Sequence, residues 1–494
     1  MRDKQRVLLI RSSYIPNRMG KYVVPPLGIL TLASYLRTHR KNEIEVQILD
    51  NGFERLPPDK CADKIKEFAP DVVGISALSI ESAGLHRLAS VVKRINPSVK
   101  VIAGGPHATT FYDFVLQDKN VDYVVAGEGE KTFIELLDYL RDDSTPPPDM
   151  SGLAQRVDEE ITFGGVRPPI EDLDSLPMPA WDLIDLKGYS NFPKFTSMNT
   201  FLARTPYAPL FTSRACPYRC AYCHSIFGKK FRAQSPQRVL EEIELLHKRY
   251  GAKEFHIYDD IFNFDRGRVL EICEEIKRRG LDIKFAFPNG VRGDLMTKDV
   301  LQALIQAGAY SITYAVETAS PRIQRLIHKN LDLDKVYQAV EWTYEFGAIP
   351  CGFFMLGFPS ETLEEMKRTI SYAVHSKMLR ALFFSVVPVP RTELFEIAKR
   401  AYPDYDFSYE LSPTMYYWAE KPFYNKVSSI DVETLTHKAW GDFYLKPWRM
   451  WNLLLRLPKN ITFFDTIFNG VAYGWFALGR QEEKIEIEPY HYKQ

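Results

Sequence analysis

The chain has 494 residues, enough for about two to four domains with ample core. Its 63 basic side chains are balanced by 63 acidic ones, so no strongly basic surface is offered to nucleic acid. Six cysteines are too few for a disulfide framework, and their clustering points to metal or catalytic chemistry in a reducing, cytoplasmic setting.

The start, "MRDKQRVLLIRSSY", has a charged lead but only a short apolar run, and reads as a buried strand rather than a signal peptide. Residues 1–141 then alternate apolar runs with helical patterns. Strands are expected at "RVLLIRS", "EVQILD", "DVVGISAL", "VKVIAGG" and "DYVVAGE", with helices such as "PLGILTLASYLRTH" and "ESAGLHRLASVVKRI" between them. Near-continuous apolar strands are covered on both faces, so these units predict a doubly wound, Rossmann-like parallel sheet. Ligands of such sheets bind beyond the carboxyl ends of the strands. The residues there are Ser76 and Ser79, then Gly104, Gly105 and His107 in "GGPHAT", then Gly127, Glu128 and Gly129 in "GEGE".

Residues 142–205 break the rhythm. "DDSTPPPDMSG" is a linker and "LPMPAWDLIDL" is Pro-rich around Trp181, so the stretch is read as an interdomain connection with one small hairpin. Alternation resumes over 206–401 with six strands: "PLFTSRA", "EFHIYDD", "IKFAFPN", "SITYAVE", "PCGFFML" and "LFFSVVP". The helix "SPQRVLEEIELLHKRYG" is bounded by Ser235 as N-cap, Pro236 at its first position and Gly251 at its end. Six units are two short of a full barrel, so a partial (β/α)6 barrel is expected, with chemistry at the carboxyl ends of its strands. Residues 402–494 lose the alternation and become aromatic, predicting a mainly helical region that caps the barrel mouth. Within it, "ITFFDTIFNGVAYGWFAL" (461–478) is too short and polar to span a membrane. With the basic, aromatic "KPWRMW" it allows a peripheral contact with a lipid surface.

The first barrel strand leads into "RACPYRCAYCHS", where Cys216, Cys220 and Cys223 stand in C-x3-C-x2-C spacing. Structural zinc needs a second pair, and Cys61, Cys273 and Cys351 are isolated. Three local thiolates suit a four-iron cluster with one iron open to an outside ligand.

This spacing after the first strand of a six-unit barrel resembles the radical S-adenosylmethionine (SAM) superfamily. The resemblance implies a [4Fe-4S] cluster on Cys216, Cys220 and Cys223 whose open iron chelates SAM, with Tyr222 beside the adenine. It also implies SAM or substrate contacts at Asp259 and Asp260 ("YDDIF"), Arg292 ("PNGVRGDL"), and Glu317 with Ser320 ("YAVETAS"). "GFFMLGFPSET" is similar to the superfamily's fifth-strand motif, with Gly357 and Pro359 allowing the backbone to approach adenosine closely. "VVPVPRTELFE" is similar to its sixth-strand pattern, but Arg391 stands where glycine often precedes Thr-Glu-Leu. The amino-terminal sheet resembles the domain of the cobalamin-dependent branch, through "PPLGIL", "GGPHAT" and "VDYVVAGEGE". The Asp-x-His-x-x-Gly motif is absent, which implies base-off cobalamin without a histidine axial ligand and leaves His107 as a contact to the corrin or its side chains.

The function implied is a cobalamin-dependent radical SAM methyltransferase. A 5′-deoxyadenosyl radical opens an unactivated carbon, and methylcobalamin supplies the methyl group. The motifs equally suit oxidative cyclisation, carbon–carbon bond formation or ring rearrangement on a lipid or isoprenoid, and a non-catalytic cobalamin or redox sensor is a third reading. The expected partners are a small-molecule or lipid-like substrate and an electron donor such as flavodoxin or ferredoxin.

Overall fold

Alternating strand residues divide the amino-terminal core into two layers. Val7, Leu9, Val72 and Ile102 pack with the helices Leu27–His39 and Gly129–Arg141, whereas Leu8, Ile10, Val73, Ile75 and Val101 pack with Pro58–Phe68 and Ser82–Ile95. Both pleat faces are therefore buried, which is why the runs are apolar at nearly every position. The computed structural model describes residues 4–12, 24–141, 149–191, 202–407 and 423–458. The loop after the first strand, most of the aromatic run after 402 and the stretch 461–478 lie outside the described residues. Among the described residues the chain divides into two compact units, one of residues up to Tyr189 together with Ser225–Gly228 and the other of the remaining residues from Ser190 onward.

In the first unit, β1 (Gln5–Arg11), β2 (Ile44–Asp50), β3 (Val72–Ser76), β4 (Lys100–Gly104) and β5 (Tyr123–Val125) are parallel in the order 2-1-3-4-5. The order reverses at β1, which makes the sheet doubly wound and puts its switch point between β1 and β3. The sheet is not wholly parallel. The hairpin of β6 (Leu153–Val157) and β7 (Glu160–Phe163), from the stretch read as a connection, adds two antiparallel strands beyond β5. That pairing covers an edge that would otherwise leave backbone groups free.

The second unit holds a six-stranded parallel sheet in chain order: β8 (Tyr207–Leu210), β11 (Glu254–Ile257), β12 (Lys284–Val291), β13 (Ala309–Glu317), β14 (Ile349–Leu356) and β15 (Arg380–Ser385). Between β8 and β11, the short β9 (Ser213–Arg214) and β10 (Arg232–Ala233) form a separate antiparallel ladder. The consecutive order is that of a barrel, and β8 and β15 are left as edges. Ser235 Oγ accepts the Arg238 amide at 3.2 Å, Pro236 opens the helix to Tyr250, and Gly251 ends it in the left-handed region.

The described carboxyl-terminal helices cover the β15 edge. Tyr444, on the helix Val432–Tyr444, accepts the Ala381 amide at 3.1 Å and donates to the Ala381 carbonyl at 3.0 Å, while Trp440 and Phe443 pack on Phe383. Arg449 is fully buried without a carboxylate partner among the described residues and donates to the carbonyls of Val374, Ser376, Met378 and Phe443. No helix among the described residues is long and apolar enough to cross a membrane.

Candidate functional site

The thiol loop is built from its base. Asp259 is 1% exposed, and its carboxylate accepts the Thr212 amide (2.6 Å), the Thr212 hydroxyl (2.7 Å) and the Ser213 hydroxyl (2.6 Å). Burial raises its pKa, against the opposing charge of Arg268 and these three donors. Asp259 therefore ties the end of β11 to the segment after β8. Asp260 accepts the amide of Ala215 at 3.2 Å, and Ala215 bends the chain at φ +69° just before Cys216.

The loop's midpoint is held from two sides. The Ala221 amide donates to Ile327 O (2.9 Å), and its carbonyl accepts from Leu394 N (2.8 Å). Cys216, Cys220 and Cys223 are all free thiols along this loop, and Cys61, Cys273 and Cys351 are buried elsewhere. Cys223 is exposed as a residue, yet its sulfur lies deep enough among its neighbours that desolvation raises the thiol to about 11. Three soft donors on one tethered loop have the chemistry a cubane with one iron left unligated by protein requires, although the described side chains are not gathered into a ready group of three metal ligands.

Tyr222 points into a buried polar triad. Its hydroxyl donates to Glu317 Oε1 (3.3 Å) and accepts from Lys329 Nζ (3.0 Å), and Lys329 Nζ is 3.3 Å from the same Glu317 oxygen. Burial and then the Glu317 charge hold the Tyr222 phenol well above its ordinary pKa. Glu317 ends β13 at φ +67°, and Lys329 lies between two left-handed residues, His328 and Asn330. Such a backbone persists where surrounding contacts over-determine it. Lys329 was missed by sequence reasoning; its only signal was a lone lysine in "IHKN" after the helix Pro321–Leu326.

Arg292 stacks on Tyr218 at 3.7 Å, pairs with Asp294 at 2.9 Å and donates to Lys329 O at 3.0 Å. It thus fixes Tyr218, for which the sequence suggested no role. Ser320 is the N-cap of the helix Pro321–Leu326 and donates to Glu365 Oε1 at 2.7 Å. Gly357 has φ +88°, and a Cβ there would lie 2.9 Å from Tyr424 Cβ. The close approach that requires glycine is thus to the carboxyl-terminal region. Pro359 is buried in the same turn. Below it Glu361, also passed over in the sequence, accepts Gly357 N (2.8 Å) and Phe358 N (3.0 Å) through Oε2, and burial raises it to about 8. Arg391 has φ +67°, which explains the glycine preference at that place.

In the first unit the expected residues gather beyond β3 and β4. Ser12 N donates to Ser76 O, His107 N donates to Ala77 O, and Ala77 N donates to Gly104 O. Gly105 has φ +81°, and a Cβ there would lie 2.6 Å from Ser76 Oγ, so the neighbouring loop itself demands glycine. His107 is fully buried, with Nδ1 3.3 Å from Ser79 Oγ, and burial lowers it to about 4, so it stays neutral. Glu128 accepts the Ile170 amide at 2.9 Å, and Gly129 opens the helix to Arg141. Gly127, at φ +80°, has nothing within 4 Å of a Cβ position, leaving bare backbone at the carboxyl edge. That bare edge and the unpartnered, buried Nε2 of His107 fit a broad, flat, amide-bearing group such as a corrin.

One network here was not read from the sequence. Arg11, at the end of β1, pairs with Glu81 at 3.1 Å and lies 3.9 Å from Asp50, which accepts the Tyr189 hydroxyl at 2.6 Å. Burial works against the guanidinium, but Glu81 and Asp50 more than offset it and keep it charged. The network joins the carboxyl ends of β1 and β2 to the segment after β3, beside the switch point.

A switch-point sheet with glycine-lined edges and a three-thiol partial barrel define a cobalamin-type radical SAM enzyme. The B12 binding domain family matches residues 18–137 and the Radical SAM superfamily matches residues 210–373. An uncharacterized methyltransferase of Pyrococcus horikoshii is 33% identical, over 86% of this chain and 88% of that protein. Cytidylyl-2-hydroxyethylphosphonate methyltransferase of Streptomyces wedmorensis is 30% identical, over 80% of this chain and 81% of its own length. The structure of the radical SAM methyltransferase TsrM from Kitasatospora setae, with cobalamin and a [4Fe-4S] cluster bound, shares the fold at TM-score 0.66 and 17% identity, covering 90% of this chain and 89% of that one. The chain belongs to the radical SAM superfamily, in its branch with an amino-terminal B12 binding domain. The cofactors of that family are the [4Fe-4S] cluster, SAM and cobalamin.

Proposed function

We propose that this enzyme transfers a methyl group to an unactivated carbon of a small-molecule or lipid-like substrate. The observation that carries the reading is the presence in one chain of a tethered three-thiol loop and a cobalamin-type sheet, alongside two relatives with methyltransferase names that each cover at least 80% of it. An sp3 carbon has no lone pair for polar methyl transfer, and the bound cofactors supply both hydrogen-atom abstraction and the methyl donor. The chain's own part is to hold them: Cys216, Cys220 and Cys223 ligate iron, Ala221 keeps their loop in place, and Tyr222, Glu317 and Lys329 form a pre-arranged polar wall beside it.

The cobalamin is proposed to be base-off without a histidine ligand. The sequence of the loop after β1 contains no histidine. A reducing, cytoplasmic setting fits the free cysteines. Peripheral contact with a lipid surface is supported by Trp451 and Leu455, 63% and 57% exposed on the acid-free helix Pro447–Arg456. Flotation with anionic liposomes tests that part: equal recovery of wild type and W451S/L455S removes it.

The central experiment is anaerobic incubation of reconstituted protein with SAM, cobalamin, a reductant and candidate extracts. A product heavier by one CH2, formed together with 5′-deoxyadenosine, is expected. A product lighter by two hydrogens assigns the enzyme to oxidative cyclisation or desaturation instead, and absence of 5′-deoxyadenosine overturns the enzymatic reading.

A further inference from the structure

The guanidinium of Arg292 is committed to partners within the protein, and its side chain is only 9% exposed. Nε lies 2.9 Å from Asp294 Oδ1, an ion pair without hydrogen-bond alignment, and Nη2 donates to Asp294 Oδ2 at 3.1 Å. Nη1 donates to Lys329 O at 3.0 Å, and Nη2 also reaches Asn330 O at 3.3 Å. An arginine that recognises a ligand carboxylate presents its planar fork outward, and this fork is already filled. What remains is its flat face, which lies on the Tyr218 ring at 3.7 Å from the centroid.

Tyr218 stands midway between Cys216 and Cys220 in the sequence. Pro217 has no N–H, so Tyr218 supplies the first amide beyond Cys216 that can reach its sulfur, and that amide is hydrogen-bonded to it. Lys329, whose carbonyl Arg292 holds, donates to the Tyr222 hydroxyl. Two cations thus hold the tyrosines on either side of Cys220, and each is matched by its own carboxylate, Asp294 or Glu317. With the charges paired, what Arg292 brings to the thiol loop is geometry.

We propose that Arg292 is a positioning residue that sets the reduction potential of the cluster by holding the Tyr218 amide on the Cys216 sulfur, and is not itself a contact to SAM or substrate. The proposal rests on the cluster reading of the three thiols. Hydrogen bonds to ligating sulfur favour the more negative, reduced state of an iron–sulfur centre. The couple concerned is the one-electron step from the 2+ to the 1+ state. The electron comes from a low-potential reductant, dithionite in the test, and no atom is transferred.

The test is an anaerobic dithionite titration of full-length, cluster-reconstituted protein, followed by the electron paramagnetic resonance of the reduced cluster. Wild type, R292K, Y218A, Y218F and R292K/Y218A are compared. Lysine keeps the charge beside Asp294 but has neither a plane to stack nor a fork. In R292K and in Y218A the midpoint potential is expected to fall by about 59 mV, a roughly tenfold less favourable one-electron reduction, with Y218F at the wild-type value. The double variant is expected to shift no further than either single one, because both act through one amide. The potential is read per loaded cluster, so a lower iron content or melting temperature does not imitate the effect. If R292K fails to load iron, Y218A against Y218F decides the same point. An unchanged potential in Y218A or in loaded R292K overturns the proposal, and so does an additive shift in the double variant, which makes Arg292 act by its own field. SAM affinity by equilibrium dialysis that is lost in R292K but kept in Y218A also overturns it, because Arg292 then touches SAM. Failure of the underlying reading shows separately, as wild type that gives no cluster signal after reconstitution.

Discussion

Lys329 Nζ sits 3.3 Å from Glu317 Oε1, and both residues are 8% exposed. They come from the end of β13 and from the segment after the next helix, and Tyr222 of the thiol loop completes the set. The buried pair thus links the loop that holds the cluster to the strand end that faces it.

Removing one member of such a pair leaves an uncompensated charge. Lys329→Met is expected to destabilise the protein by about 3 kcal/mol, whereas the double variant E317Q/K329M recovers most of that loss. Both variants should bind SAM roughly tenfold more weakly, about 1.4 kcal/mol, because the polar wall is gone. Chemical denaturation and equilibrium dialysis measure the two effects. Equal stability of the single and double variants would falsify the pairing.

The Asp259 clamp is expected to decide iron loading. Asp259→Ala leaves two hydroxyls and one amide without their buried acceptor, at a cost of roughly 2–4 kcal/mol. Iron per chain after reconstitution should fall well below wild type even though every cysteine remains. C273A and C351A should load normally, because those thiols are buried away from the loop.

Glu361 should give the fold a pH dependence of definite sign. Its folded pKa, about 8, lies above the ordinary carboxyl value because burial disfavours the charge. Its contribution is complete below the ordinary value and is lost as pH rises toward 8, at roughly 1.4 kcal/mol per pH unit. E361Q keeps an acceptor for the Gly357 and Phe358 amides and cannot ionise. Its unfolding free energy should vary less between pH 5 and 8 than that of wild type, and a parallel pair of pH profiles would count against this account.

Gly105→Ala forces a side chain into a left-handed backbone and onto Ser76 Oγ. A loss of about 1–3 kcal/mol in the amino-terminal unit is expected, with weaker cobalamin retention on gel filtration. Gly127→Ala meets open space, so only its φ is strained and its stability loss should be smaller.

The strands, their parallel pairing and the three thiols were legible in the sequence, because buried parallel strands must be apolar at nearly every position and because the C-x3-C-x2-C spacing is local. What the sequence left open is carried by contacts between distant segments. Asp259 and Ser320 sat where cofactor contacts were expected, yet packing turns one into a clamp on Thr212 and Ser213 and the other into a helix cap. Gly357 was read as room for adenosine, and its near neighbour is Tyr424, 67 residues away. Lys329 and the Arg11–Glu81–Asp50–Tyr189 network carry no periodic or motif signal. Their meaning lies in a buried charge finding its partner, and that partner is chosen only when the chain closes on itself.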